Sequence, residues 1–382
     1  MDFVKRCDFF AKSRVADVAR KGLGTSADLG MNILGYRPVL LVGSVPLATP
    51  AAVFEAVAAA LGRLVRRIPD GETGERSQGI TWLGAPLRQA KGVVALSERA
   101  MPDGTMRPVL AAKPGASTAD VQFGPVGYAQ AALQSYAEFV RLRREGIIPA
   151  GIRFQVSLPT PIALAFGFFA PTSVRTVWPA CERRMLLELD QILQGIPHSD
   201  LAIQWDIETE IARILEFPDS AQNYPVDELV NAIARVCDNV PPETELGLHF
   251  CYGDMGHRHL VEPKDSFLMV DLFNRLAATV ARPITWLHAP VPRDRDDDDY
   301  FAPLAGLQSE GGTELYLGLI HLTDGIEGAK RRLTAAERVV ADFGVATECG
   351  LGRRPPESIA HLLVLHRHIA ELDLTTWSDP EV

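Results

Sequence analysis

The residues best suited to chemistry are a histidine and two cysteines that could hold a metal ion together. His249 and Cys251 are two positions apart at the end of an apolar run. Because side chains alternate along a β-strand, this spacing points both groups to one face. Cys349 follows another apolar run and precedes Gly350. Imidazole nitrogen and thiolate sulfur are ligands that Zn²⁺ prefers, so we predict a zinc site formed by these three residues.

A fourth zinc ligand is harder to choose from the sequence. His288 ends a further apolar run and is the first candidate. The alternative is an ordinary hydrogen-bonded histidine at a strand end. A catalytic zinc keeps one position open for substrate or water, whereas a structural zinc is saturated by protein ligands.

Three more polar side chains end apolar runs. Asp206 and Glu208 share a face by the same two-residue spacing, and paired carboxylates can bind a substrate ammonium group or act as acid and base. A salt bridge to a neighbouring arginine is the alternative. His321, followed by Leu-Thr-Asp, is either a proton donor or part of a helix-capping segment.

The elements that would position these residues are eight short apolar runs without strict alternation, which is typical of parallel strands buried on both faces. The predicted strands are Val39–Val42, Leu64–Ile68, Ile152–Ser157, Leu201–Asp206, Leu246–Cys251, Ile284–Leu287, Leu315–Ile320 and Val345–Glu348. Helical periodicity is present at Ala51–Leu61, Cys181–Leu193, Val226–Val236, Phe267–Val280, Gly325–Phe343 and Pro356–Leu372. Eight alternations of strand and helix favour a single (β/α)8 TIM barrel of the α/β class; an open doubly wound sheet is the alternative.

A barrel requires the polar residues that follow its strands to meet in one cavity at its C-terminal face. Gly43 and Ser44 follow the first predicted strand, Glu72 the second and Thr160 the third. These residues are therefore expected to surround the same cavity as the predicted zinc ligands.

Two segments fall outside the barrel repeat. We expect residues 1–37 to form an N-terminal arm that packs on the barrel or on a second subunit of a homo-oligomer, and residues 38–382 to form one catalytic domain. The second segment, 73–151, is a long insertion between strands two and three. It contains a predicted hairpin of Arg107–Ala112 with Ala119–Phe123 and a helix near Tyr128–Glu145.

The composition excludes several classes of protein. The net charge is −10 and Lys/Arg-rich runs are absent, which argues against nucleic-acid binding. Apolar stretches fall short of the roughly 20 residues that span a membrane, and the first residues lack a signal-peptide core. Five dispersed cysteines without a Cys-x-x-Cys pair do not form a disulfide framework. We expect a cytoplasmic protein.

Several short motifs occur in the order found in a known family. Val42-Gly43-Ser44 followed by Pro46, the His-x-Cys pair and Cys349-Gly350-Leu351 resemble the catalytic domain of cobalamin-independent methionine synthase. The resemblance covers 39–372. It implies the barrel superfamily that also holds uroporphyrinogen decarboxylase, and a zinc enzyme that transfers a methyl or alkyl group to a thiol.

The resemblance also implies roles for individual residues. Gly43 and Ser44 would contact the substrate and Glu72 would bind it. Asp206 would serve binding and catalysis, and His321 would be the general acid. Thr160, in a segment similar to the one after the family's third strand, and Glu208 join the candidate substrate-binding residues.

Two departures from the family pattern concern the same cavity. The family carries a glutamate zinc ligand after strand six, where this chain has His288. The Glu-Pro that follows the aspartate of strand four is Ile207-Glu208 here.

Three hypotheses of different kinds remain open at this point. The first is zinc-dependent methyl or alkyl transfer to a small-molecule thiol, of the methionine synthase kind or of the kind catalysed by epoxyalkane:coenzyme M transferase. The second is a lyase or decarboxylase of the same superfamily, with metal or arginine holding an anionic substrate. The third is a non-catalytic metal-binding homologue.

Overall fold

The structure, a computed structural model, describes residues 35–101, 104–216, 224–253, 259, 261–309 and 312–372, with the side chains of 213–216 left aside. Most of the predicted N-terminal arm, 1–37, therefore lies outside the described residues.

A curled sheet of seven parallel strands forms the centre of the fold, and its spatial order follows the chain. The strands are β1 (Arg67–Pro69), β4 (Arg153–Pro159), β5 (Leu201–Ile207), β6 (Glu245–Phe250), β7 (Trp286–Pro290), β8 (Glu314–Ile320) and β9 (Gly344–Thr347). Every pairing between neighbours is parallel. The expected parallel α/β architecture is confirmed at this level, and seven of the eight predicted strands are present with shifts of a few residues at their ends.

The predicted first strand, Val39–Val42, is not a regular strand but contacts both edges of the sheet. Val39 forms single parallel bridges with Val65, which precedes β1, and with Val345 of β9. The N–H of Val39 donates to the carbonyl of Leu64 at 2.8 Å. Pro38 can only accept, because proline has no N–H, which shortens the ladder at this point.

The two faces of the sheet pack differently. One face joins the helices in a large hydrophobic core. The other face encloses a small separate cluster whose members come from the 39–42 segment and from β5, β7, β8 and β9: Leu40, Val42, Ala202, Trp286, Tyr316 and Ala346. Gly247 of β6 makes room for this cluster, because a Cβ there would lie 1.8 Å from the Trp286 ring. Apolar contacts between strands that are not neighbours show how strongly the sheet curls.

Helices follow the strands along the chain. The helices are α1 (Pro50–Leu61), α2 (Gly84–Arg88), α3 (Tyr128–Arg144), α4 (Pro161–Phe168), α5 (Pro171–Gly195), α6 (Thr209–Glu216), α7 (Val226–Asp238), α8 (Phe267–Thr279), α9 (Asp298–Phe301), α10 (Gly325–Glu337) and α11 (Ile359–Ala370). In the part of the chain that the structure describes, no helix is both long and apolar enough to cross a lipid bilayer.

Local signals explain where several helices begin and end. Thr49 caps α1 by accepting the N–H of Ala52 at 3.2 Å, with Pro50 in the first turn. The predicted helix Gly325–Phe343 ends early at Glu337, just before β-branched Val339 and Val340, which fit a helix poorly. Helices α4 and α6, which follow β4 and β5, are absent from the sequence-based expectation.

The insertion contains a hairpin, but not the predicted one. Strand β3 (Met106–Ala112) pairs antiparallel with β2 (Val93–Ala100), whereas Ala119–Phe123 contributes a single bridge between Gln122 and Lys91. The prediction missed β2, whose residues are exposed from Val94 onward and lack the regular alternation of apolar and polar residues that marks a half-buried strand. Helix α3 confirms the helix predicted near Tyr128–Glu145 and packs against α1 and α5.

Candidate metal centre

His249, Cys251 and Cys349 bring one nitrogen and two sulfur atoms within 4.8 Å of one another. The two Sγ atoms are 3.6 Å apart, and Cys349 Sγ is 3.7 Å from His249 Nε2. A tetrahedral zinc with bonds of about 2.0–2.3 Å holds its ligand atoms about 3.5–3.8 Å from one another. The donor chemistry of the three side chains therefore fits zinc, and the two distances measured from Cys349 Sγ match the spacing of zinc ligands.

Strand β6 positions the first two of these residues. His249 is the next-to-last residue of the strand, and Cys251 follows directly, with its N–H donating to the carbonyl of Ile207 on β5 at 3.3 Å. The N–H of Gly253 donates to Cys251 Sγ at 3.3 Å. A backbone N–H aimed at sulfur favours the thiolate, which is the form that binds metal.

The loop after β9 carries the third residue and is tied to the loop after the 39–42 segment. Ser44 accepts twice from this loop, from the N–H of Leu351 with its carbonyl at 2.7 Å and from the N–H of Gly352 with its Oγ at 3.1 Å. Thr347 Oγ1 donates to the carbonyl of Cys349 at 2.8 Å. Ser44 thus supports Cys349 through hydrogen bonds to its loop.

His288, predicted as a fourth ligand, lies behind His249. It is opposite His249 in the sheet register and is fully buried. Its Nδ1 is 2.8 Å from His249 Nδ1, and its Nε2 donates to the carbonyl of Thr347 at 2.9 Å. Burial lowers the pKa of His288 to about 4, opposed in part by the carbonyls of Thr347 and Phe250. Both ring nitrogens of His288 are engaged away from the two sulfur atoms.

Two carboxyl groups that share a cavity with the candidate metal ligands have raised pKa values. Burial raises the pKa of Glu72 to about 7, with nearby Asp70 adding to the effect and Arg76 and Arg353 opposing it. Burial also raises the pKa of Asp206 well above its ordinary value, and the charge of Glu72 raises it further. Burial and the repulsion between the two groups make it costly for both carboxyl groups to ionise together.

Glu72 adopts an unusual backbone conformation, with φ of +46°, the one non-glycine positive φ among the described residues. The Glu72 N–H donates to Asp70 Oδ1 at 2.8 Å, and Asp70 is held by Arg76 at 2.7 Å and by Ser135 Oγ at 2.8 Å. The left-handed backbone conformation is unfavourable for a residue with a side chain, such as glutamate. It persists only where neighbouring contacts enforce it. The turn therefore fixes the position of the Glu72 carboxyl group.

Buried glutamine side chains hold Asp206 in place through hydrogen bonds. Gln204 Nε2 donates to Asp206 Oδ1 at 2.9 Å and to the carbonyl of Val42 at 2.6 Å. Gln155 on β4 donates to Gln204 Oε1 at 3.3 Å, and Ser157 Oγ donates to the carbonyl of Val42 at 3.2 Å. The sequence analysis missed Gln155 and Ser157 as site residues, although their polar side chains in a buried strand were the available signal.

Eight of the predicted residues line one cavity of about 530 Å³: Gly43, Ser44, Glu72, Asp206, Glu208, His249, Cys251 and Cys349. The insertion supplies further lining residues that were not predicted, Ser77, Gly79, Ile80, Arg99, Ala100, Met101, Arg107 and Tyr128. Arg353, just after the Cys349 loop, is a third arginine at the cavity. The cavity therefore combines thiols, carboxyl groups and guanidinium groups.

The remaining predicted residues lie elsewhere. Thr160 is buried; it caps α4 by accepting the N–H of Ala163 at 3.1 Å, and its Oγ1 donates to Glu210 at 2.6 Å. His321 is 3% exposed; its Nε2 donates to the carbonyl of Val291 at 2.9 Å and its Nδ1 is 3.6 Å from Glu348. Neither residue is among those that line the cavity.

Comparisons with known proteins show similarity at the level of the fold. No protein-family model matches the chain, and no curated protein matches it. A solved B12-independent methionine synthase from a Shewanella species, in complex with selenomethionine, matches with a TM-score of 0.56 at 16% identity, covering 88% of this chain and 97% of that one. A Listeria monocytogenes structure, assigned only provisionally as a vitamin B12-independent methionine synthase, matches with a TM-score of 0.54 at 11% identity, covering 89% and 97%.

Proposed function

We propose that the protein is a zinc-dependent transferase that moves a methyl or alkyl group onto the sulfur of a small-molecule thiol. One observation carries the proposal: the zinc-compatible cluster of His249, Cys251 and Cys349 opens into the same cavity as Glu72 and Asp206. The similarity of the fold to methionine synthase structures supports it.

The metal and the protein would contribute different parts of the chemistry. Zinc held by imidazole and thiolate ligands lowers the pKa of a thiol so that a reactive thiolate exists at neutral pH. Glu72 and Glu208, which both line the cavity, would bind a positively charged substituent of the thiol substrate, such as an ammonium group. In the transfer, a sulfur–carbon bond forms while the bond from carbon to the leaving group breaks, and the leaving group keeps that electron pair.

A leaving group that gains an electron pair needs a proton, and Asp206 is the better placed donor. Burial raises the pKa of its carboxyl group, which favours the protonated form, and the side chain lines the cavity. His321, the donor implied by family resemblance, directs its Nε2–H to a backbone carbonyl instead. We therefore assign the proton transfer to Asp206.

We also propose that the 39–42 segment is the first strand of a closed eight-stranded barrel. Its bridges to residues next to β1 and in β9, and its place in the inner apolar cluster, support this closure. Closure would place Gly43 and Ser44 between the turn that carries Glu72 and the loop that carries Cys349.

A lyase or decarboxylase acting on an anionic substrate is a second candidate. The observation in its favour is that Arg99, Arg107 and Arg353 line the same cavity. Guanidinium groups bind carboxylates and phosphates well. Loss of CO₂ from an anionic substrate without any added thiol would favour this candidate.

The proposal is tested by metal analysis together with an alkyl-transfer assay. The purified protein is expected to bind one zinc ion and to transfer a methyl or alkyl group to members of a thiol panel, with activity lost on chelation and restored by zinc. Cys251→Ser and Cys349→Ser should lose most of the metal and the activity.

Cys237→Ala is the matched control, because Cys237 is a free, buried cysteine on α7. It should retain zinc and activity. Stoichiometric zinc in both serine variants, or full transfer activity after complete removal of the metal, would contradict the proposal.

A further inference from the structure

His288 and His249 face each other through the same ring atom. Their Nδ1 atoms are 2.8 Å apart, and their side chains are in register on adjacent strands β6 and β7. A contact this short between two imidazole nitrogens is a hydrogen bond, so one nitrogen must carry the proton and the other must offer a lone pair.

The backbone decides which nitrogen carries the proton. His288 Nε2 is 2.9 Å from the carbonyl oxygen of Thr347, and a carbonyl can only accept. His288 therefore has its proton on Nε2. A second proton on the same ring would place a charged imidazolium at a fully buried position, which is costly. The lone pair between the two rings thus belongs to His288 Nδ1.

The proton between the rings then belongs to His249. With Nδ1 of His249 protonated, its Nε2 carries the free lone pair, and Nε2 is the atom that lies 3.7 Å from Cys349 Sγ. The opposite tautomer would present an N–H to the place where a metal must be bound. The series of hydrogen bonds from Thr347 through His288 to His249 therefore selects the tautomer of His249 that can coordinate a metal ion.

We propose that His288 is a positioning residue of the metal centre and not its fourth ligand. In this role, His288 holds His249 in the tautomer and orientation that bind metal. The inference rests on the proposed zinc site. It leaves the fourth coordination position for a substrate thiol, because the protein ligands are then three.

Metal affinity provides the direct test. Zinc dissociation constants are measured by competition with a chromophoric chelator for the wild type, His288→Leu and His288→Gln. Leucine removes both hydrogen bonds, whereas the glutamine amide can accept from His249 and donate to Thr347. We expect a 10- to 100-fold weaker affinity for His288→Leu, the usual size of an outer-sphere effect, and substantial recovery in His288→Gln.

His366→Leu is the matched control, because His366 is a fully buried histidine on α11 whose Nδ1 contacts the carbonyl of Leu362. Its zinc affinity should equal that of the wild type. Unchanged affinity in His288→Leu would overturn the inference, and so would equal losses in the leucine and glutamine variants.

Spectroscopy distinguishes a positioning residue from a ligand. Cobalt-substituted wild type and His288→Gln should show the same visible absorption bands, because the atoms bound to the metal are unchanged. A shift of these bands on replacing His288 would identify it as a ligand and overturn the inference.

A measurement on the unaltered protein avoids dependence on the folding of variants. In the zinc-loaded wild type with ¹⁵N-labelled histidine, long-range ¹H–¹⁵N correlations should show protonated Nδ1 in His249 and protonated Nε2 in His288. Protonated Nε2 in His249 or protonated Nδ1 in His288 would overturn the assignment.

These outcomes separate the inference from the proposed function. A wild-type protein that binds no zinc contradicts both. Zinc binding with the tautomers reversed, or without sensitivity to His288, contradicts only the positioning role, and an absence of alkyl transfer in a zinc protein with the expected tautomers contradicts only the function.

Discussion

At the scale of single residues, the cavity contains several features that are unfavourable for the stability of the fold. Glu72 has a positive φ, and both Glu72 and Asp206 have raised pKa values in a place where burial penalises their charge. Such costs are common where a protein prepares groups for catalysis. Their coincidence beside the zinc-compatible cluster is the reason to assign them chemical roles.

Replacing Asp206 by asparagine should slow alkyl transfer by about 10²–10⁴-fold, the usual contribution of a positioned general acid. Zinc content should not change, because Asp206 is not one of the clustered ligand residues. His321→Gln is the comparison and should cause a much smaller loss. Steady-state kinetics and metal analysis of both variants measure this difference, and a larger loss in His321→Gln would return the proton transfer to His321.

Residue spacing predicted part of this site and could not predict the rest. The two-residue period that placed His249 and Cys251 on one face is a local property of a strand. The position of His288 was also found, but its role depends on ring nitrogens that meet His249 across the sheet and Thr347 from β9. Contacts between residues 39 and 59 positions apart leave no local pattern in a sequence.

At the scale of elements, the loop after β9 places Cys349 by packing closely on Ser44. A Cβ on Gly350 would lie 2.4 Å from Ser44 Oγ and 3.2 Å from the Ser44 backbone nitrogen. The loop therefore has no room for a side chain at that position without moving the adjacent cysteine.

Gly350→Ala should weaken zinc binding while the protein remains folded, since the displaced loop carries one ligand and little of the core. Gly124→Ala is the matched control, because nothing lies within 4 Å of a Cβ at Gly124. Zinc affinity and thermal unfolding are measured for both variants. Equal zinc affinity in the wild type and Gly350→Ala would show that the loop tolerates the extra atom.

Sequence patterns predicted elements well where burial imposes periodicity and poorly where it does not. The parallel strands were found because both of their faces are apolar. Strand β2 was missed because it is exposed from Val94 onward, and its pairing with β3 is a matter of register rather than of hydrophobicity. Two of the three cavity arginines, Arg99 and Arg107, lie on this hairpin, and their approach to the cavity depends on how the hairpin packs rather than on local spacing.

At the scale of the whole molecule, the end of the sheet opposite the cavity is closed by a buried ion-pair network. Arg67 begins β1 and is 1% exposed; it donates to Glu245 at 2.9 Å and to Glu314 at 3.0 Å. Its guanidinium carbon lies 4.1 Å from the centre of the Trp286 ring. Burial opposes ionisation of Glu314, but Arg67 and Arg66 outweigh it and hold the pKa of Glu314 below its ordinary value.

Glu314→Gln should lower the free energy of unfolding at pH 7 by about 3–5 kcal/mol, because it leaves part of a buried cation unpaired. A lowered pKa stabilises the fold above the ordinary glutamate value and loses this effect as pH falls through the folded value. The difference between wild type and variant should therefore shrink below about pH 4.5. Urea unfolding across pH 3.5–8 measures it.

Glu228→Gln is the control, because the Arg175–Glu228 pair is exposed, with side-chain exposures of 56% and 38%. It should cost less than about 1 kcal/mol at any pH. A pH-independent loss in Glu314→Gln would indicate a packing defect instead of a lost charge interaction.

The exposed hairpin has a consequence for substrate selection. The part of the cavity beside the candidate metal ligands is made by residues that also belong to the sheet or its immediate loops, so a change there also risks the fold. Arg99, Ala100 and Met101 instead belong to or directly follow a strand whose side chains are mostly in water. Under the proposed function, mutations in that hairpin could therefore change which molecule enters the cavity while leaving the candidate metal ligands intact.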